Sequence, residues 1–277
     1  MGHFRAIMPV EEFRGLWTRS LIAWPDGRRD VTTQVAWLQG EGLFADLRQP
    51  PDLAARLSAA ACRDELTAED CLALAVQHGF SGRFEARDGA YEWVRRVDYQ
   101  PPQPTRDIGR LFWRDRILVE EGVESAYTEH WHRDAVPDMP CAGLWLRDAA
   151  QGVSGCLLRV GDWFAYVRGR REAIAGESLE RLVQGADSLR RMQRLVDCEV
   201  SLGRAGAQGW KITRSSLPYK VGALLAICPE AESRLALRDL DETGRVTQRV
   251  WEIVEEEGMG STLFEADPAK ISGATPW

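Results

Sequence analysis

The chain reads as one piece written twice. Arg14-Gly15-Leu16-Trp17-Thr18-Arg19 returns as Ala142-Gly143-Leu144-Trp145-Leu146-Arg147, displaced by 128 positions. Leu43-Phe44-Ala45-Asp46-Leu47-Arg48 returns as Trp163-Phe164-Ala165-Tyr166-Val167-Arg168, displaced by 120. Trp93 matches Trp210 at a displacement of 117, and Trp131 matches Trp251 at 120. Matches in the same order at nearly constant displacement describe two similar units packed together, since a solenoid needs three or more repeats. At 277 residues each unit is long enough for its own core. The division expected is a domain over 1–136 and a second over 137–277, joined by the Pro-containing linker Asp134–Cys141.

Strand signals dominate both halves. Gly15–Trp24 and Val31–Leu38 flank the turn Pro25-Asp26-Gly27, and Leu43–Arg48 follows Gly40 and Gly42. A helical excursion comes next, at Asp52–Ala61 and Thr67–His78, with Thr67 and Asp70 spaced as a capping pair. Strands resume at Phe80–Arg87 and run through Tyr91–Tyr99, Gly109–Trp113, Ile117–Glu120 and Val123–Arg133. The second half repeats this plan, with its helical excursion at Glu177–Leu195 broken near Gly185. Many short strands with one helical insertion predict a mainly β protein with a closed antiparallel barrel in each half. Closure removes exposed strand edges. A pair of sandwiches is the alternative closure.

Composition narrows the function. A net charge of −7 and a pI near 5.3 oppose nucleic-acid binding, which calls for a basic face. No apolar run reaches the length of a membrane span, and the start lacks the pattern of a secretory signal, so a cytoplasmic location is expected. Six cysteines without metal or redox spacing read as reduced, mostly buried thiols. The Gly-rich phosphate loops and the GxSxG nucleophile motif are missing, and no cofactor is expected. Arg168, Arg170, Arg171, Arg190, Arg191 and Arg194 read as a solvated face.

Gly155–Arg168, Val196–Leu217 and Val250-Trp251-Glu252-Ile253-Val254 resemble the C-terminal part of the fungal Hrr-interacting proteins, and Glu129-His130-Trp131 before Pro137 resembles that family's Glu-Leu-Trp before Pro. The resemblance implies two tandem calycin- or lipocalin-like barrels. It brings no active site. Its fungal members are linked to a casein-kinase-like partner, which makes a protein partner a further candidate.

Strand alternation sorts the chemistry-bearing side chains by face. Phe44, Asp46 and Arg48 share one face; Tyr91, Trp93, Arg95, Val97 and Tyr99 share another; Tyr127, Glu129, Trp131 and Arg133 a third. Aromatic walls around a few ionisable groups suit the inside of a small-ligand barrel. Across the duplication Asp46 becomes Tyr166, Arg95 becomes Ile212 and Glu129 becomes Arg249, so the acid/base set is expected in the N-terminal barrel alone, with the C-terminal barrel as support. His130 and His132 lie on one strand face, but a third metal ligand is not identifiable, and His130 is kept as a ligand-binding candidate beside Glu129.

The reading is a protein that binds a small, anionic, partly apolar molecule inside the N-terminal barrel through Arg48, Trp93, Arg95, Tyr99, His130 and Trp131. The second reading is a cofactor-independent hydrolase, lyase or isomerase with Asp46 or Glu129 as acid/base and Arg48 with Arg95 as anion clamp. The third is an interaction scaffold with filled barrels.

Overall fold

The computed structural model describes residues 7–135, 141–206, 209–258 and 263. Most of the expected linker and of the tail after Gly258 lies outside these residues. The N-terminal half contains β1 (Gly15–Ala23), β2 (Arg29–Asp30), β3 (Gln34–Gln39), β4 (Leu43–Gln49), β5 (His78–Arg87), β6 (Ala90–Asp98), β7 (Ile108–Arg114), β8 (Ile117–Gly122) and β9 (Thr128–Ala135). The C-terminal half contains β10 (Cys141–Asp148), β11 (Val153–Val160), β12 (Trp163–Arg168), β13 (Glu199–Gly206), β14 (Gly209–Ser215), β15 (Leu224–Ala231), β16 (Arg234–Leu240) and β17 (Val246–Gly258). Pairing of β1 with β9 closes the first sheet, with β2 as a two-residue flange on β1. Pairing of β10 with β17 closes the second, so the molecule is two antiparallel barrels in tandem.

Both helical insertions fall after the third strand of the barrel wall. The first holds α1 (Leu53–Arg56) and α2 (Ala68–Leu74), the second α3 (Leu179–Gln184) and α4 (Leu189–Leu195). Thr67 caps α2 as its spacing predicts: its hydroxyl accepts from the Asp70 backbone N–H, and the Asp70 carboxylate accepts from the Thr67 N–H. The helix is shorter than expected, and His78 and Gly79 belong to β5. Gly185 ends α3 where the break was expected.

Three cores account for the apolar residues. One fills the N-terminal barrel, with Trp17, Trp37, Phe44, Phe80, Phe84, Trp93 and Trp131. A second fills the C-terminal barrel around Leu144, Leu157, Phe164, Tyr166 and Trp251. The third lies between the barrels, where Leu43, Ala45 and Leu47 of β4 meet Leu158, Ala165 and Val167 under the helices. These strands are buried on both faces because one face is lumen and the other is joint.

The registers confirm the duplication at the level of backbone and correct it at one strand. Leu38 pairs with Ala45 as Leu158 pairs with Ala165, and Phe84 with Trp93 as Ala205 with Trp210. Leu16 pairs with Leu38, however, whereas Gly143 pairs with Leu158, so the first strands correspond at a displacement of 127 and not 128. The Gly-Leu-Trp match is therefore out by one residue: Trp17 faces the lumen and Trp145 faces the joint between barrels. A single-residue slip exchanges faces on a strand.

Candidate functional site

The ionisable end of the N-terminal lumen is built by strand alternation from β1, β4, β6, β8 and β9. Phe44, Asp46 and Arg48 point inward, as expected. Arg48 donates to Asp46 through Nε at 2.8 Å and Nη2 at 3.3 Å, and lies 3.5 Å from Glu129 Oε1. Arg19 reaches the same Glu129 oxygen at 2.5 Å and Asp30 at 3.3 Å. Burial works against the charge on Arg48, yet Asp46 and Glu129 hold its guanidinium well above its ordinary range. Burial raises the Glu129 carboxyl, and the two arginines oppose that rise.

A second group sits alongside. Arg95 donates to Asp107 at 2.6 Å and to Asp98 at 2.9 Å, with its guanidinium 3.6 Å from the centre of the Phe80 ring. Glu120 accepts from Tyr127 Oη at 2.6 Å and from Trp131 Nε1 at 3.0 Å. It lies directly opposite Glu129 in the β8–β9 register. Burial, then the charges of Glu129 and Asp107, push Glu120 well above the usual carboxylate range. Burial also raises Asp98, against the pull of Arg95. Asp46, Asp98, Asp107, Glu120 and Glu129 thus gather around Arg19, Arg48 and Arg95, and Glu120 is the carboxyl left without an arginine in ion-pair contact. At the rim, the protein around His78 and the positive charges of Arg48, Arg95 and Arg19 lower its imidazole to about 4.

The lumen itself is filled at its other end. Trp17 stacks on Trp37, and Phe84, Trp93 and Trp131 meet Trp37 edge-on with centroids 5.5–5.6 Å apart. The open space lies to the side. β6 and β7 share only the register pairs Tyr91–Gly109 and Glu92–Ile108, so the wall splits below them. A cleft of about 800 Å³ enters there, bounded by Arg95, Asp98, Asp107 and Tyr127 on the N-terminal barrel and by Gly169–Ile174 on the other. Arg170 donates to the backbone carbonyls of Leu195, Asp98 and Tyr99, and Arg171 to Gln151. Neither makes an ion pair among the described residues.

Of the residues singled out from sequence, Asp46, Arg48, Trp93, Arg95, Glu129 and Trp131 come together in this barrel, with Trp93 and Trp131 in its aromatic packing. Two do not join them. A β-bulge between Ser81 and Gly82 makes Arg96 the extra residue of β6, which turns Val97 and Tyr99 out of the lumen and Asp98 in. Tyr99 is buried in the joint, its hydroxyl accepting from Gln77. His130 alternates with Glu129 and Trp131 and lies on the outer wall, half-buried, near Arg114 and His132. Among the described residues no three metal-binding side chains gather.

The expectation that only the first barrel holds charge is overturned. In the second, Arg168 pairs with Asp197 at 2.6 Å, Arg249 with Asp148 at 3.1 Å and Asp239 at 3.3 Å, and Lys220 with Asp239. These partners escaped the comparison because Glu199 and Asp239 stand where the first barrel has His78 and the end of β8, positions the duplication alone does not mark. Glu120 was legible, since it alternates with Leu118 on β8. Tyr127 falls on the face that alternation assigns to it with Glu129 and Trp131; Arg19 and Asp107 were not legible, because closure of β1 on β9 and the course of the 99–107 loop bring them in.

No family profile and no curated protein matches this sequence. Among solved structures, the chain is similar to an uncharacterized protein of Saccharomyces cerevisiae at 11% identity and a TM-score of 0.49, over 88% of this chain and 98% of that one.

Proposed function

We propose that this chain is a binding protein for a small anionic molecule, taken up in the side cleft where the charged end of the N-terminal barrel opens between β6 and β7. One observation carries the reading: Arg171 lines that cleft with an exposed guanidinium that donates to the Gln151 side chain and makes no ion pair among the described residues, and Arg95 and Arg170 line the same cleft. Guanidinium groups in a partly desolvated cleft favour carboxylate and phosphate, which they meet through paired hydrogen bonds. The aromatic filling of the lumen moves the ligand from the barrel axis, where sequence alone put it, to the wall. Apolar atoms of Ile108 and Ile174 supply the partly apolar lining. Native mass spectrometry of the purified protein tests this by its co-purified small molecules, followed by titration calorimetry with citrate, succinate and inorganic phosphate. Arg171→Ala, whose side chain is exposed, is expected to weaken binding about tenfold with an unchanged Tm. An absence of any bound anion in both measurements refutes the proposal.

A second reading, acid–base catalysis, is favoured by Glu120. Its raised carboxyl touches Tyr127, and the Tyr127 hydroxyl lies 3.4 Å from Asp107 in the cleft wall, a chain of groups able to pass a proton. Asp46 and Glu129, the acid/base candidates from sequence, are each tied to arginine. Turnover that is lost in Glu120→Gln while anion affinity persists selects this reading.

A further inference from the structure

The registers allow the two lumens to be compared position by position, and they differ in the side chains that line them. Trp17, Trp37, Phe80 and Phe84 of the first barrel correspond to Leu144, Leu157, Ser201 and Ala205 of the second. Four rings give way to two leucines, a hydroxymethyl and a methyl group.

The same exchange strips hydrogen-bond partners. Trp131 opposes Leu118 and donates to Glu120, two residues along β8. Its counterpart Trp251 opposes Leu235, and the residue two along β16 is Leu237. The Trp251 N–H therefore has no acceptor among the described residues, although the side chain is fully buried. Tyr166 Oη, Arg168 Nε and Glu199 Oε2 are also buried without hydrogen-bond partners, on residues 1%, 6% and 1% exposed. Tyr166 opposes Ser201 and Arg168 opposes Glu199 across β12 and β13, so these groups share one stretch of inner wall. Arg168 Nε and Glu199 Oε2 stand 3.8 Å apart, too far for a hydrogen bond. The Tyr166 and Trp251 rings lie 6.4 Å apart. Buried polar groups in folded proteins are almost always satisfied, so a cluster of this kind marks a place where another molecule completes the bonding.

The chemistry of that molecule follows from the groups left open. Three are donors (a phenol, a guanidinium N–H and an indole N–H) and one is a carboxylate oxygen. The charges around them come close to balance: Asp148, Asp197, Glu199 and Asp239 face Arg168, Arg249, Lys220 and the incoming Arg63, which is shared with the more exposed Asp64. A balanced enclosure penalises a further net charge. Hydroxyl groups accept from such donors and also donate to a carboxylate, and a small molecule that carries several of them can serve all four open groups at once.

We infer that the C-terminal barrel encloses a second ligand site, distinct from the cleft, in which Tyr166, Arg168, Glu199 and Trp251 bind a small neutral polyol.

Titration calorimetry with glycerol, erythritol and inositol on the full chain tests it. Saturable binding of at least one polyol is expected, weakened about tenfold in Tyr166→Phe and in Trp251→Phe. Removing the Tyr166 hydroxyl, which has no protein partner among the described residues, leaves Tm in the absence of polyol unchanged, whereas a lower Tm in Tyr166→Phe means a protein partner exists and overturns the site; Trp251→Phe also removes buried ring volume and is read by affinity alone. It is equally overturned by the absence of binding, by binding unaltered in both variants, or by a crystal structure with ordered water only at these atoms. Polyol binding retained in Arg171→Ala keeps this result separate from that for the cleft.

Discussion

Glu120 and Glu129 meet face to face across β8 and β9, and burial raises both, Glu120 the more because its surroundings differ. Glu129 has two arginines; Glu120 has a phenol and an indole, which donate hydrogen bonds but bring no charge. A carboxyl raised in the folded state contributes stability that is complete below its unfolded value, near 4.3, and is lost as pH rises through its folded value. Glu120→Gln should therefore change stability by less than about 1 kcal/mol at pH 5 and flatten the alkaline fall, as read from urea unfolding at several pH values. A loss of about 3 kcal/mol at pH 5 would show that the carboxyl is needed ionised. This residue was readable from alternation along Ile117–Glu120; the upward push on its carboxyl was not, because that depends on which neighbours closure of the barrel supplies.

At the scale of elements, the bulge in β6 decides what the lumen contains. A side chain at Gly82 would collide with the Val94 carbonyl, and one at Gly203 with the Lys211 carbonyl and the Phe164 ring. Both glycines sit at bulges, with Arg96 and Thr213 as the extra residues, so the device was duplicated with the barrel. Gly82→Ala is expected to cost about 3 kcal/mol, with a matching drop in the urea midpoint; an unaffected midpoint would mean the bulge relaxes freely. Alternation placed Tyr91, Trp93 and Arg95 correctly and failed at Tyr99 for this reason alone. Local signals did better on α2, whose cap lies within four residues of sequence. Thr67→Ala should cost about 1 kcal/mol in the same assay.

The molecule as a whole is joined by apolar and ionic contacts between its halves. Glu257 of β17 accepts from the backbone N–H groups of Glu41, Gly42 and Leu43 at 2.7–3.0 Å, and Asp197 bridges Arg168 of one barrel to Arg63 of the other's insertion. Burial opposes ionisation of Asp197, but these arginines hold it at about 2. A lowered carboxyl contributes stability present above its unfolded value, near 3.9, and lost as pH falls through its folded one. Asp197→Asn should cost about 3 kcal/mol at pH 7 and much less near pH 2, measured by denaturant unfolding; an equal cost at both would rule out the ionic bridge. With β4 buried on both faces, calorimetry should give one transition for the two barrels, and two separated transitions would contradict a shared core. The sequence by itself determined the duplication, the strand-rich plan, the cap of α2 and the inward set Asp46, Arg48, Arg95 and Glu129, because periodicity and turn chemistry are local. Tertiary structure decided the rest: which carboxylates find cations, which lumen fills with rings, and where the wall opens. Those outcomes depend on bulges, closure and loop paths that bring together residues far apart in the chain.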